Sequence, residues 1–177
     1  GKAVRAKEVN GDIYLEGITK EEFESKWLHY FDMDRDYSEL KAGLCVNDEI
    51  MTEAVKFAPG IRILNQDFFE CLISFIISQN NRIPMIKKVI SNISEKYGDE
   101  IGEINGVKYY SFPTPEKLAK ADNESLMALK TGFRAKYIID AVEKVLSGEI
   151  SKEKLDKMTL EDARKSLMTI KGVGPKV

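Results

Sequence analysis

Ser166-Leu-Met-Thr-Ile-Lys-Gly-Val-Gly-Pro-Lys-Val177 is the stretch from which the rest of the chain is read. Leu167 and Ile170 are apolar at helical spacing, so a helix runs into Lys171 and stops where Gly172 lets the backbone turn with positive φ. Gly174 then precedes a second helix, for which Pro175 is pre-set at the first position, and Lys176 falls in its first turn. The pattern is helix, Gly-Val-Gly hairpin, helix. Its backbone N–H groups at Gly172, Val173 and Gly174 form a nest for an anion such as a phosphate, and a nest without side chains holds a nucleic-acid backbone without reading its sequence. Lys176 sits at the positive end of a helix dipole, which disfavours its ammonium form. A lysine of this kind can act as a nucleophile on a sugar C1′.

Upstream, Asp67 to Ser78 is apolar nearly all round and belongs in the middle of a helical bundle, with Cys71 as a core residue. It ends in the polar cluster Ser78-Gln-Asn-Asn-Arg82. Two readings of that cluster stand: a capped turn in which Asn80 or Asn81 supplies the cap, or a rigid helix end that presents amides to a ligand. Ile83 to Tyr97 is a second helix with Ile83, Ile86, Ile90, Ile93 and Tyr97 inward, Pro84 in its first turn and Gly98 as its stop. Gly106 to Phe112 is a loop or short strand. Thr114 and Asp122 cap short helices. Thr131-Gly-Phe-Arg134 leads into a long helix with Tyr137, Ile138, Ala141, Val142 and Val145 inward, ending at Gly148. Phe133 and Arg134 at its start read equally as a packed aromatic beside a solvated arginine or as contact residues.

The order Gln66-Asp-Phe-Phe-Glu-Cys-Leu-Ile-Ser-Phe-Ile-Ile-Ser-Gln-Asn-Asn81, Tyr110-Ser-Phe-Pro113, Thr131-Gly-Phe-Arg-Ala-Lys-Tyr137 and Ile170-Lys-Gly-Val-Gly-Pro-Lys176 resembles the 8-oxoguanine DNA glycosylase/AP lyases of the helix-hairpin-helix superfamily, in a bacterial or archaeal version. The resemblance implies removal of 8-oxoguanine from double-stranded DNA with strand nicking, Lys176 being the catalytic nucleophile that forms a Schiff base. It implies that Asn80 fills the space of the flipped nucleotide, that Phe133 is a wedge beside the orphaned base, and that Arg134 reads that base. A second reading arginine of the animal enzymes is matched by Met85, which cannot donate to cytosine. Asn81 and the hairpin residues Gly172, Val173 and Gly174 complete the implied DNA contacts. Relatives also hold a monovalent cation at carbonyls matching Met168, Ile170 and Val173. No metal site built from side chains and no cofactor is implied. The carboxylate that assists the lysine lies downstream of the hairpin in the family, so the chain reads as truncated at both ends and, taken alone, as catalytically impaired.

Composition sets the remaining bounds. With 177 residues, 43% hydrophobic and 32% charged, the chain buries a sizeable core and is not disordered. A net charge of −2 argues against coating nucleic acid by bulk electrostatics, so DNA binding must be local. With no apolar run of spanning length and no signal peptide, the expectation is a soluble, cytoplasmic, nucleoid-associated monomer without membrane or protein partners. Cys45 and Cys71 lack metal-ligand spacing. Val4 to Ile18 reads as a β-hairpin turning at Asn10-Gly11. Thr19-Lys-Glu-Glu22 is a capping box that opens a helix carrying Phe23, Trp27 and Phe31 inward. His29 reads as a surface residue without an evident partner, and Asp32 to Asp36 as a charged link. Further helices are expected near Ser38 to Ala42 and Asp48 to Phe57.

The fold expected is therefore α+β but predominantly helical: residues 1–18 as the remnant of an antiparallel β domain, and 19–177 as a helical glycosylase domain. Two other functions fit the same features. One is a non-enzymatic helix-hairpin-helix module that grips DNA backbone. The other is a superfamily glycosylase acting on different damaged or mismatched bases.

Overall fold

The structure, a computed structural model, describes residues 2–10 and 12–175. Its backbone groups into two compact units, one formed by 4–66 and the other by 67–177 with the first three residues.

The unit 4–66 starts with the antiparallel pair β1 (Arg5–Val9) and β2 (Asp12–Glu16), in the register Val9 opposite Asp12. Asn10 turns with φ 54°, as the Asn-Gly signal requires. Thr19 and Glu22 close a reciprocal capping box, and α1 (Lys20–Glu22), a π-helical segment (Phe23–Trp27) and α2 (Leu28–Tyr30) follow without a break. The π segment is a departure from the regular helix expected. It lies beside an aromatic cluster in which Trp27, Tyr30 and Phe31 have ring centroids 5.2 to 6.0 Å apart. Asp36 caps α3 (Tyr37–Leu44) and Asp48 caps α4 (Glu49–Phe57).

Two expectations in this unit are corrected. His29 has a partner, its Nδ1 lying 2.9 Å from Asp34 Oδ2. Asp32 is a buried hub rather than part of a charged link: its carboxylate accepts from Tyr37 Oη at 2.7 Å and Asn65 Nδ2 at 3.0 Å, and pairs with Arg35. These bonds, the Tyr37 hydroxyl first, hold its carboxyl below the usual range. Arg62 stacks its guanidinium 4.4 Å from the Tyr37 ring centre and donates to the Asp32 carbonyl at 2.6 Å. Residues 58–66, which have neither helix nor strand, are thereby fastened through side chains.

The unit beginning at Asp67 is a helical bundle. Asp67 caps α5 (Phe68–Ser78), whose Phe69, Leu72, Ile73, Ile76 and Ile77 are buried. Phe75 is exposed and Cys71 only half-buried, so the helix presents one wet edge rather than being enclosed all round. In α6 (Ile83–Tyr97) the buried residues are Val89, Ile93 and Ser94, while Ile83 is exposed in the first turn. Gly98 ends α6 in extended backbone. Its glycine identity answers crowding, since a Cβ there would lie 2.0 Å from the Ser111 carbonyl oxygen.

A second hairpin, β3 (Glu100–Ile104) with β4 (Val107–Tyr110), follows where only a loop or strand was expected. It turns at Asn105 and Gly106, both at positive φ, the same signal as at Asn10. Then come α7 (Pro115–Leu118) capped by Thr114, α8 (Asn123–Ala128) capped by Asp122, a 3-10 turn (Gly132–Arg134), and α9 (Ala135–Leu146). α10 (Lys152–Leu155) and α11 (Leu160–Leu167) complete the described elements. Leu118, Leu126, Ile138, Ala141, Val142, Ile150, Ile170 and Val173 join the α5 and α6 residues in one apolar core. Among the described residues no helix is long and apolar enough to cross a membrane.

Candidate nucleic-acid interface

Two surface features of the bundle are built from the residues singled out in the sequence, and α9 with its preceding 3-10 turn holds both.

The first is the turn after α5. Asn81 serves the structure: its Nδ2 donates to the Ile77 carbonyl at 3.1 Å and its Oδ1 accepts from Arg82 N at 2.9 Å, capping one helix and shaping the approach to the next. Asn80 is left out of this capping. It is exposed, adopts φ 45°, and its side chain has no hydrogen-bond partner among the described residues. Beside it, the Gln79 amide nitrogen is buried and unpartnered. Met85 lies exposed in the first turns of α6.

Arg134 departs from the solvated arginine considered above, being only 7% exposed. Nε donates to the Gln79 carbonyl at 2.9 Å, Nη2 to the Gln79 and Asn80 carbonyls, the latter at 3.0 Å, and Nη1 to the Thr131 carbonyl at 3.2 Å. Its guanidinium lies 4.5 Å from the Phe133 ring centre, and burial lowers its proton affinity. Phe133 remains half in solvent and meets the Tyr137 ring edge-on, with centroids 5.9 Å apart.

The second feature is the hairpin after α11. The backbone tightens through Ile170 N to Leu167 O at 3.1 Å and Val173 N to Ile170 O at 3.0 Å, with Gly172 at φ 77°. Ile170 and Val173 are the buried anchors. Tyr137 lies flat under the turn, so close that a Cβ on Gly172 would stand 2.4 Å from its ring. Asp140, 7% exposed on α9, accepts the Lys171 backbone N–H at 2.8 Å and pairs with Lys171 Nζ at 3.1 Å. Neither Asp140 nor the ring contact of Tyr137 was anticipated, because nothing local to them signals a partner some thirty residues downstream.

The hairpin's hydrogen bonding narrows the expected nest. The Lys171 N–H is spent on Asp140 and the Val173 N–H on Ile170, while those of Gly172 and Gly174 have no partner among the described residues. Two donors therefore remain for an anion. The Ile170 carbonyl, one of three considered for a cation, accepts one hydrogen bond and keeps a second lone pair. Lys176, the expected nucleophile, lies outside the described residues. Among the described residues no cluster of three or more His, Cys, Asp or Glu could hold a metal ion.

The family profile described as HhH-GPD superfamily base excision DNA repair protein matches residues 73–171, more than half of the chain. The chain belongs to the HhH-GPD superfamily. A profile described as the N-terminal domain of 8-oxoguanine DNA glycosylase matches residues 2–72 of this HhH-GPD protein. It is 40% identical over 134 residues to the N-glycosylase/DNA lyase of Saccharomyces cerevisiae, covering 69% of this chain and 36% of that protein. With the DNA-3-methyladenine glycosylase of Bacillus subtilis it shares 34% identity over 153 residues, 85% of this chain and 50% of that protein. The fold superposes with a TM-score of 0.88, at 44% identity, on Clostridium acetobutylicum 8-oxoguanine glycosylase/lyase in complex with double-stranded DNA containing cytosine opposite 8-oxoguanine. That match covers 97% of this chain and 59% of the other. The chain thus spans about a third to a half of the length of the curated relatives it matches.

Proposed function

We propose that this protein is an 8-oxoguanine DNA glycosylase with AP-lyase activity, working on double-stranded DNA in the cytoplasm, at the nucleoid, as a monomer. The observation that carries this reading is the pair of features fixed by α9 and the 3-10 turn before it: an exposed Asn80 amide at the end of α5, and a glycine hairpin with two N–H donors, both without a partner among the described residues. A base-excising enzyme needs both. It must fill the gap left by an extruded nucleotide, and it must grip the strand beside the sugar without regard to sequence.

In this reading Asn80 enters the vacated stack with Phe133 as wedge, and Arg134, Asn81 and Met85 belong to the side facing the orphaned base. Gly172, Val173 and Gly174 hold the backbone of the damaged strand, and the carbonyls of Met168, Ile170 and Val173 hold a monovalent cation. Lys176 Nζ, as the free amine, then attacks C1′; the C1′–N9 bond breaks and the base leaves with the electron pair, taking up a proton. The nitrogen of the C1′–Nζ adduct gives up a proton as the C1′–O4′ bond breaks and O4′ is protonated, which opens the sugar to a Schiff base; that Schiff base permits loss of a C2′ proton and cleavage of the 3′ C–O bond, the 3′ phosphate leaving with the electron pair. Borohydride trapping tests the assignment. The protein should form a covalent adduct with duplex DNA bearing 8-oxoguanine, and Lys176→Gln should abolish it; an adduct of undiminished yield in Lys176→Gln refutes the lysine's role, and absence of any adduct with the unaltered protein points to a binding module.

The Bacillus relative favours a second reading, in which the same scaffold excises alkylated bases. Excision of 3-methyladenine in preference to 8-oxoguanine, measured on matched duplexes, would decide for it.

A further inference from the structure

Lys130 holds a backbone conformation that its side chain resists. It lies at φ 69°, and every other non-glycine residue at positive φ among the described residues is an asparagine or an aspartate. Those two types bond locally to the backbone and so tolerate the left-handed region, whereas lysine has no acceptor with which to do so. The position directly follows Leu129, the cap of α8, and glycine or asparagine is the usual choice there. A strained residue persists where something outweighs its cost, and an outlier of this kind points to function.

The fold gains little from this ammonium, because the end of α8 is closed by other groups. Leu129 N and the buried Thr131 hydroxyl donate to the Leu126 carbonyl at 3.0 and 2.9 Å, the backbone N–H of Lys130 donates to the Met127 carbonyl at 2.9 Å, and Asn92 Nδ2 donates to the Leu129 carbonyl at 3.3 Å. Lys130 is exposed, and its side chain has neither an ion pair nor a hydrogen bond among the described residues. Its charge beside a helix of only six residues is screened by water. What is left is a cation presented on a turn anchored by Leu126 and Thr131, both fully buried, in a chain of net charge −2.

Phe133, half in solvent, follows three residues later. Three residues of chain span at most about 11 Å, so the ammonium and the ring are presented close together. We propose that Lys130 contacts a phosphate of the strand opposite the lesion, next to the orphaned base. This rests on the reading of Phe133 as the wedge beside that base. A compact ammonium on a flexible stem suits a phosphate rather than a base edge, and it holds the strand without reading sequence. The glycine hairpin grips the damaged strand in the same reading, so the duplex is held by both of its backbones.

Affinity for a duplex carrying a tetrahydrofuran abasic analogue opposite cytosine, followed by fluorescence anisotropy over a range of salt concentrations, tests it. Losing one phosphate contact makes the log–log slope shallower by about 0.9, which is about an eightfold loss at 0.1 M salt that fades toward 1 M. Lys130→Gly should show that loss while its thermal midpoint stays level or rises, because the strain is gone. Lys130→Arg keeps the charge and should bind as the unaltered protein does. Should Lys130→Gly lower the midpoint, Lys130→Asn, which tolerates the same φ, takes its place. An unchanged slope and affinity in the variant overturn the proposal. The strand is assigned with a neutral methylphosphonate at the phosphates flanking the orphaned cytosine. It should weaken the unaltered protein by the same factor and Lys130→Gly not at all, and equal losses in both overturn the assignment to that strand. If the unaltered protein binds the abasic analogue no more tightly than undamaged duplex, the proposed function fails instead. The slope on undamaged duplex then decides the phosphate contact: shallower in Lys130→Gly upholds it, and unchanged overturns it.

Discussion

Gly172 shows how much one atom decides. Its φ of 77° excludes most side chains, and the Tyr137 ring occupies the space that a methyl group would need. Gly172→Ala should therefore lower stability by about 1–3 kcal/mol in chemical denaturation, the sum of backbone strain and overpacking. It should also weaken duplex binding, because the hairpin must move off α9 to relieve the clash. Met85 carries the opposite kind of prediction, a loss of choice rather than of stability. A thioether offers no donor to cytosine, so the preference for cytosine over other bases opposite the lesion should be weaker by about 1–3 kcal/mol than in an enzyme with arginine there. Cleavage of one lesion opposite each of the four bases measures it, and Met85→Arg should restore the preference. The positive φ of Gly172 is legible in the sequence, because Gly-Val-Gly after a helical run admits few alternatives. The ring beneath it is not, since Tyr137 reads simply as an inward residue of its own helix.

At the scale of elements, α9 is the part on which the candidate site depends. It carries Tyr137 and Asp140 toward the hairpin and begins immediately after Arg134, which holds the turn behind α5. Removing the Asp140 carboxylate should loosen the hairpin as a unit. Asp140→Ala leaves the Lys171 N–H unpaired, at a cost of about 1–3 kcal/mol. Asp140→Asn keeps an acceptor and loses only an ion pair with an exposed ammonium, worth less than about 1 kcal/mol. Affinity for undamaged duplex should follow the same order, with alanine weaker than asparagine, measured by fluorescence anisotropy. The caps at Thr19, Asp36, Asp48, Asp67, Thr114, Asp122 and Thr159 stand where side-chain chemistry places them. The hairpin of β3 and β4 carries an Asn-Gly signal as clear as the first one, but its strands alternate weakly: Glu100 and Glu103 flank Gly102, and neither strand has a buried residue. The reading of a loop or short strand followed that weak pattern and passed over the turn chemistry at Asn105-Gly106, which marks the hairpin.

At the largest scale, net charge bears on the proposed grip on DNA. At −2, these 177 residues have no general attraction to a polyanion, so on the proposed function contact comes from a few local donors. The affinity for duplex should therefore fall with salt on a shallow log–log slope, about −2 to −3 if two or three phosphates are neutralised. A slope steeper than about −6 would require a broad basic face instead. The apolar core of the bundle, from Phe69 to Val173, gathers residues from α5, α6, α8 and α9; in α9 Ile138, Ala141 and Val142 are buried as the periodicity suggested, whereas in α6 Val89 is buried and Ile83, expected inward, is exposed. The unit 4–66 is organised differently, with polar fastenings around Asp32, a residue that in sequence is one of three aspartates in a charged run.

The sequence by itself determined whatever is decided within a turn or two of backbone: where helices start and stop, that glycines bend the hairpin, that asparagines mark the end of α5, and that the chain is mostly helical. These follow from sterics and hydrogen bonding among near neighbours, which each short stretch carries with it. Only the tertiary structure decided which polar groups are spent. Arg134 reaches carbonyls 54 and 55 residues away, and Asp140 an N–H 31 residues away. Such pairings depend on which faces the core brings together, so an arginine with two open readings in sequence, solvated or in contact with a ligand, and an aspartate that nothing in sequence singles out became the two buried fasteners of the site.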